Sequence, residues 1–163
     1  MIGKVIKYNL KNINTDLIIP ARYLINSDEQ FLAAHCMEDL DRDFVEKVKK
    51  ENFQILVTDS NFGCGSSREQ APSAIKASGI ACIIAPSFAR IFFRNAINIG
   101  LPIIEFPEIE RIRTGDILNI QFEEGIIKNT SNDEEFHIKK QSDFLQQIIS
   151  AGGLINFARK QIK

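Results

Sequence analysis

The chain has 163 residues, 44% hydrophobic and 25% charged, the balance of one globular domain spanning residues 1–163 with a single packed core. Its 20 Lys and Arg against 21 Asp and Glu leave a formal charge of -1, and without a basic stripe no nucleic-acid partner is expected. No apolar run approaches the roughly 18 residues of a membrane span, and Met1-Ile2-Gly3-Lys4 leads straight into a strand-like pattern, so a cytoplasmic protein without a membrane partner is expected.

The first element is a strand predicted over Lys4 to Asn9, followed by an irregular loop through Asn14-Thr15-Asp16 and one or two helices between Asp28 and Lys50. Phe53 to Asp59 is predicted as a buried strand. A loop from Ser60 to Gly65 then precedes a helix from Arg68 to Ser78, with Ser67 as cap and Gly79 as terminator. Ser66 with Glu69, or Ser67 with Gln70, has the spacing of a capping box. Ala81 to Ala85 is the next strand, Ser87 caps a helix over Phe88 to Asn98, and Gly100 ends it before a strand from Leu101 to Phe106.

This βαβαβ order predicts a parallel sheet. Beyond Pro107 the turns Thr114-Gly115-Asp116, Glu124-Gly125 and Thr130 to Asp133 suit antiparallel pairing. Ser142 opens a helix to about Ser150, and Ala151-Gly152-Gly153 breaks it before a last amphipathic piece.

Cysteines at 36, 64 and 82 lack C-x-x-C spacing, and an odd count argues for free thiols in a reducing compartment. With His35 and His137 as the only imidazoles, the chain is not expected to build a zinc or iron site by itself. Any metal that the function needs is expected from elsewhere.

One segment has a composition suited to more than folding: Asn61-Phe62-Gly63-Cys64-Gly65-Ser66-Ser67-Arg68-Glu69-Gln70-Ala71-Pro72. It joins the carboxyl end of a strand to the start of a helix, where free N–H groups favour an anion. The glycines permit a close backbone approach, and hydroxyls with a guanidinium suit a carboxylate. A competing reading makes Ser66 and Ser67 caps and Arg68 a solvated first-turn residue; local physics alone leaves the two about even. Arg68 opposes the helix macrodipole there, which favours an anion between them. A dinucleotide fingerprint has Arg68 where its third glycine belongs, and neither a P-loop nor a G-x-S-x-G elbow is present.

Three motifs in order carry a resemblance: Asn14-Thr15-Asp16-Leu17-Ile18-Ile19-Pro20-Ala21-Arg22-Tyr23-Leu24, the segment Asn61 to Pro72, and Ser87-Phe88-Ala89-Arg90-Ile91-Phe92-Phe93-Arg94-Asn95-Ala96-Ile97-Asn98-Ile99-Gly100-Leu101-Pro102. Together they resemble the swivel domain of the aconitase superfamily in its free-standing form, the small subunits of 3-isopropylmalate dehydratases. The region after Pro107 adds only compatible length and pattern.

The resemblance implies an α/β fold of the swivelling β/β/α three-layer type, with a central parallel sheet and a smaller antiparallel one. It further implies a large-subunit partner carrying a 4Fe-4S cluster that acts as Lewis acid on the departing hydroxyl, with no cofactor in this chain and the active site between the subunits. By the same resemblance Ser66 is the base that removes a proton beside a carboxylate, Arg68 binds substrate, and Ser67 and the backbone around Gly65 complete the cradle. Leu24 and Ile25 fall where the family selects the substrate's side group, whereas without the resemblance both would be read as core residues; homoaconitase-like relatives have arginine in place of Ile25. Gln70 departs from the family's frequent histidine.

The implied reaction interconverts 2-isopropylmalate and 3-isopropylmalate by dehydration and rehydration in leucine biosynthesis. The alternatives are the same chemistry on methylmalate, dimethylmalate or homoaconitate, or a non-catalytic anion-binding module.

Overall fold

A computed structural model describes residues 1–162. Four strands form its parallel part: β1 (Ile2–Tyr8), β2 (Phe53–Thr58), β3 (Cys82–Ala85) and β4 (Ile103–Glu105). Three more, β5 (Ile117–Gln121), β6 (Ile126–Asn129) and β7 (Glu134–His137), pair antiparallel. The two parts share β1, which pairs parallel with β2 and antiparallel with β5, giving one seven-stranded sheet of order β4-β3-β2-β1-β5-β6-β7. The antiparallel part is thus continuous with the parallel part.

Successive side chains of a strand point to opposite faces, and here both faces of the parallel part are covered. Ile6, Leu56, Ile83 and Ile103 enter a core with the helices. Val5, Ile55, Val57, Ile84 and Ile104 enter a second core with Leu118, Ile120, Ile127 and Phe136 from the antiparallel strands. The sheet therefore curls over its own back, producing the three layers that the resemblance implies. Each fully buried Ile, Leu or Val contributes roughly 1.5–3 kcal/mol, so the β2 and β3 runs, buried almost throughout, anchor the fold.

On the helical side lie α1 (Thr15–Ile18), α2 (Glu29–Ala34), α3 (Phe44–Glu51), α4 (Gln70–Ala77), α5 (Arg90–Asn98), α6 (Asp143–Ser150) and α7 (Leu154–Gln161). Asn14 caps α1, its side chain accepting from Leu17 N at 3.0 Å, so part of the expected irregular loop is a helical turn. Ser142 caps α6 as expected. Ser87 does not cap α5: its hydroxyl accepts from Asn61 N at 2.9 Å, and the helix starts only at Arg90. No helix among the described residues is long and apolar enough to cross a membrane.

Candidate functional site

The segment after β2 is wedged between two neighbours that hold its backbone as short bridges. On one side Phe62 N donates to Ser87 O at 3.2 Å and Ala89 N to Phe62 O at 2.9 Å. On the other, Gly63 N donates to Ile13 O at 2.8 Å and Thr15 N to Cys64 O at 2.9 Å. Buried Phe62 secures the wedge, edge-on to Phe88 and Phe92. Gly63 has φ +76°, and a Cβ there would lie 2.2 Å from the Phe92 ring. Only glycine fits both the left-handed backbone and that approach.

Next along the chain, the Thr15 hydroxyl donates to Ser66 O at 2.9 Å from a position only 2% exposed. The Ser66 backbone is held from inside while its side chain faces outward. With these long-range bonds in place, the chain reaches helical dihedrals at Glu69, and α4 begins at Gln70 without a side-chain cap. The expected cap by Ser67 and both capping boxes are therefore absent. Ser66 and Ser67 remain exposed, with neither hydroxyl bonded to another described residue.

Arg68 is not a solvated first-turn residue either. Its side chain is 11% exposed, Nη1 donates to Ile19 O at 2.9 Å, and Nη2 meets Asp16 Oδ1 at 2.7 Å. A guanidinium has five N–H donors, so this hydrogen bond and the ion pair orient the group and leave donors for an incoming carboxylate.

Gly65, Ser66, Ser67 and Arg68 line one cleft of ≈ 300 Å³ together with Thr15, Gly63, Asn95 and the residues Ala89 to Phe92 that open α5. Leu24 and Ile25 are not in its lining: Leu24 packs against the helical core, and Ile25 is 93% exposed. A larger hollow of ≈ 410 Å³, walled by Phe93, Ile104, Phe122 and Leu145, has no arginine in its lining, and its hydroxyl, Ser142, caps α6. The smaller cleft brings two hydroxyls that cap no helix together with the Arg68 and Arg90 side chains. Asp16, which pairs with Arg68, and Arg90, which lines the cleft, both stand inside the quoted motifs although the sequence alone assigns neither a role.

The chain's thiols do not fit an iron-sulfur cluster. Cys36 and Cys82 are fully buried in separate cores, where burial raises both thiol pKa values, that of Cys82 to about 12. Cys64, partly exposed, donates to Asn12 O at 3.5 Å. No three metal-ligating side chains converge among the described residues.

Residues 3–109 match the family described as the aconitase C-terminal domain. The chain is 57% identical to the 3-isopropylmalate dehydratase small subunit of Caldanaerobacter subterraneus, over 100% of both chains. It belongs to that small-subunit family. Another member, a 3-isopropylmalate dehydratase from Methanocaldococcus jannaschii, superposes with a TM-score of 0.91 at 42% identity, covering 99% of this chain and 96% of the other. The family also reaches a 2,3-dimethylmalate dehydratase small subunit of Eubacterium barkeri, 53% identical over 95% of this chain and 94% of the relative. Small subunits of this family imply a large-subunit partner.

Proposed function

We propose that this chain is the small subunit of a cytoplasmic hydro-lyase that interconverts 2-isopropylmalate and 3-isopropylmalate, acting as one swivel domain over residues 1–163. The observation that carries the reading is the pairing, in one cleft, of an exposed and uncapped Ser66 hydroxyl with an inward, oriented Arg68 guanidinium. Arg68 takes a carboxylate of the hydroxy diacid in a bidentate grip. Ser66, as alkoxide, removes the proton from the carbon beside a carboxylate; hydroxide leaves from the neighbouring carbon, and the reverse steps rehydrate the alkene at the other position.

A serine hydroxyl gives up its proton near neutral pH only where the alkoxide's charge is stabilised by its surroundings. Arg68 supplies positive potential there, and a partner closing the cleft would exclude water. The 4Fe-4S cluster of this reading belongs to the large subunit, because this chain's thiols do not converge. A second reading, dehydration of 2,3-dimethylmalate, is favoured by the 53% identity to a small subunit of that name.

Reconstitution with a cluster-bearing large subunit and assay against a panel of hydroxy diacids is the test. The pair should isomerise 2-isopropylmalate, while the isolated chain should bind no stoichiometric iron and show no turnover. Activity without a partner would overturn the division of labour, and preference for 2,3-dimethylmalate would select the second reading.

A further inference from the structure

We propose that Arg90 is a second substrate-binding residue, which takes the carboxylate of the hydroxy diacid that Arg68 leaves free; this rests on the hydro-lyase reading above. Two neighbouring parallel strands bring the arginines together. Arg68 follows β2 and Arg90 follows β3, so both loops emerge at the same, carboxyl end of the sheet. The loops are tied to each other just before Arg90. Ala89 N donates to Phe62 O at 2.9 Å, and the Phe92 ring packs so closely on Gly63 that a Cβ there has no room. The start of α5 is therefore fixed against the loop from Gly63 to Arg68, and both arginines line the same cleft.

The charge of that lining is one-sided. Its other polar side chains are Thr15, Ser66, Ser67 and Asn95, and it contains no Asp or Glu. Asp16 meets Arg68 at 2.7 Å without being part of the lining, so one guanidinium has a countercharge. The other has none: Arg90 is exposed and makes no ion pair among the described residues. By contrast, the exposed Arg22 and Arg111 each bridge two carboxylates.

Arg90 also stands where a lone cation is disfavoured. It is the first residue of α5, at the positive end of the helix macrodipole, with no acidic residue in the first turn and no side-chain cap from Ala89. An anion bound beside it removes the conflict. A ligand with one carboxylate satisfies one guanidinium, whereas a diacid matches both, and holding both ends of the carbon chain fixes which C–H faces the Ser66 hydroxyl. Arg90 thus makes the site selective for hydroxy diacids over hydroxy monoacids.

The experiment uses isopropylsuccinate, which lacks the leaving hydroxyl, and its two monoamides as competitive inhibitors of the reconstituted pair. The Arg90 side chain pairs with no described residue, so Arg90→Gln should fold and bind the large subunit as wild type does. It should raise KM for 2-isopropylmalate and Ki for isopropylsuccinate about 50-fold. Arg90→Lys, with the charge but not the planar fork, should be intermediate. In wild type both monoamides should bind more weakly than the diacid. In Arg90→Gln one monoamide should bind as well as the diacid, because its missing charge faces the missing guanidinium, while the other keeps its penalty. Unchanged Ki values, or equal weakening of the diacid and both monoamides, overturn the pairing. Lost affinity for the large subunit at unchanged Ki also overturns it, making Arg90 an interface cation, and all three results leave the hydro-lyase reading intact. A wild-type pair that neither turns over any diacid nor binds isopropylsuccinate overturns that reading, and the role of Arg90 with it.

Discussion

Asp16 and Arg68 meet at 2.7 Å across two segments, the carboxylate 57% exposed and the guanidinium side chain 11% exposed. The acidic partner is the outer one, so it steers the arginine while remaining displaceable by solvent or by a second anion. Asp16→Asn keeps the size and removes the charge. kcat/KM should fall on the order of 10-fold, mostly through KM, because Arg68 loses its orienting partner. Arg68→Lys should raise KM further, since an ammonium has no planar fork to offer. Steady-state kinetics on the reconstituted pair separates the two.

Ser66→Ala should leave folding and large-subunit binding intact, because the hydroxyl bonds to no described residue and the backbone is held by Thr15. Turnover should drop by roughly 10²–10⁴-fold at unchanged KM. Near-normal turnover would remove Ser66 as the base.

Gly63→Ala tests the wedge. The new methyl would meet the Phe92 ring at 2.2 Å on a backbone with φ +76°, so overpacking and left-handed strain add. Stability should fall by about 3 kcal/mol or more. At Gly65, also left-handed at φ +92°, the nearest atoms stand 3.5 Å away, and alanine should cost only the backbone strain. Urea denaturation of the two variants gives the ratio.

Ile25→Arg should be neutral for folding, because the side chain is 93% exposed. Its effect should be on selectivity, moving the ratio of kcat/KM toward substrates with an extra distal carboxylate by roughly 100-fold or more, as an unpaired guanidinium against an isopropyl group is penalised. An unchanged ratio would place Ile25 away from bound substrate.

The acid limb of stability should depend on Asp41. Burial pushes its pKa up, but Lys47 Nζ at 2.7 Å, the Tyr8 hydroxyl at 2.6 Å and Asp43 N outweigh it and hold the group below its ordinary value. A depressed carboxylate pKa contributes stability that is present above the unfolded value, near about pH 4, and is lost as pH falls through the folded one. Asp41→Asn should lower the urea midpoint at neutral pH and flatten its decline below about pH 4. Parallel declines in both proteins would assign the acid limb to other carboxylates.

The strands of the parallel part were legible because their apolar runs are continuous, and the later turns because glycine and aspartate mark them. The Gly-Cys-Gly-Ser-Ser-Arg loop stood out for its chemistry. What local pattern could not reveal is where distant contacts intervene. The α4 start moves to Gln70 because Thr15 and Ile13 bond the preceding loop, and Ser87 gives its hydroxyl to Asn61 instead of to α5. The Asp16–Arg68 pair likewise depends on the fold bringing two motifs together, and the exposure of Ile25 depends on where the Tyr23 turn is pinned.

The position of β1 at the centre of the sheet imposes an order on how the protein is made. The strand synthesised before the others needs β2 on one side and β5 on the other, and β5 leaves the ribosome only after the whole βαβαβ unit. At roughly 5–20 residues per second, the open edge of β1 and the apolar row from Val5 to Ile104 wait several seconds for their cover. A nascent chain stalled between Phe106 and Ile117 would expose that whole face, and this is the interval in which chaperones would be needed most.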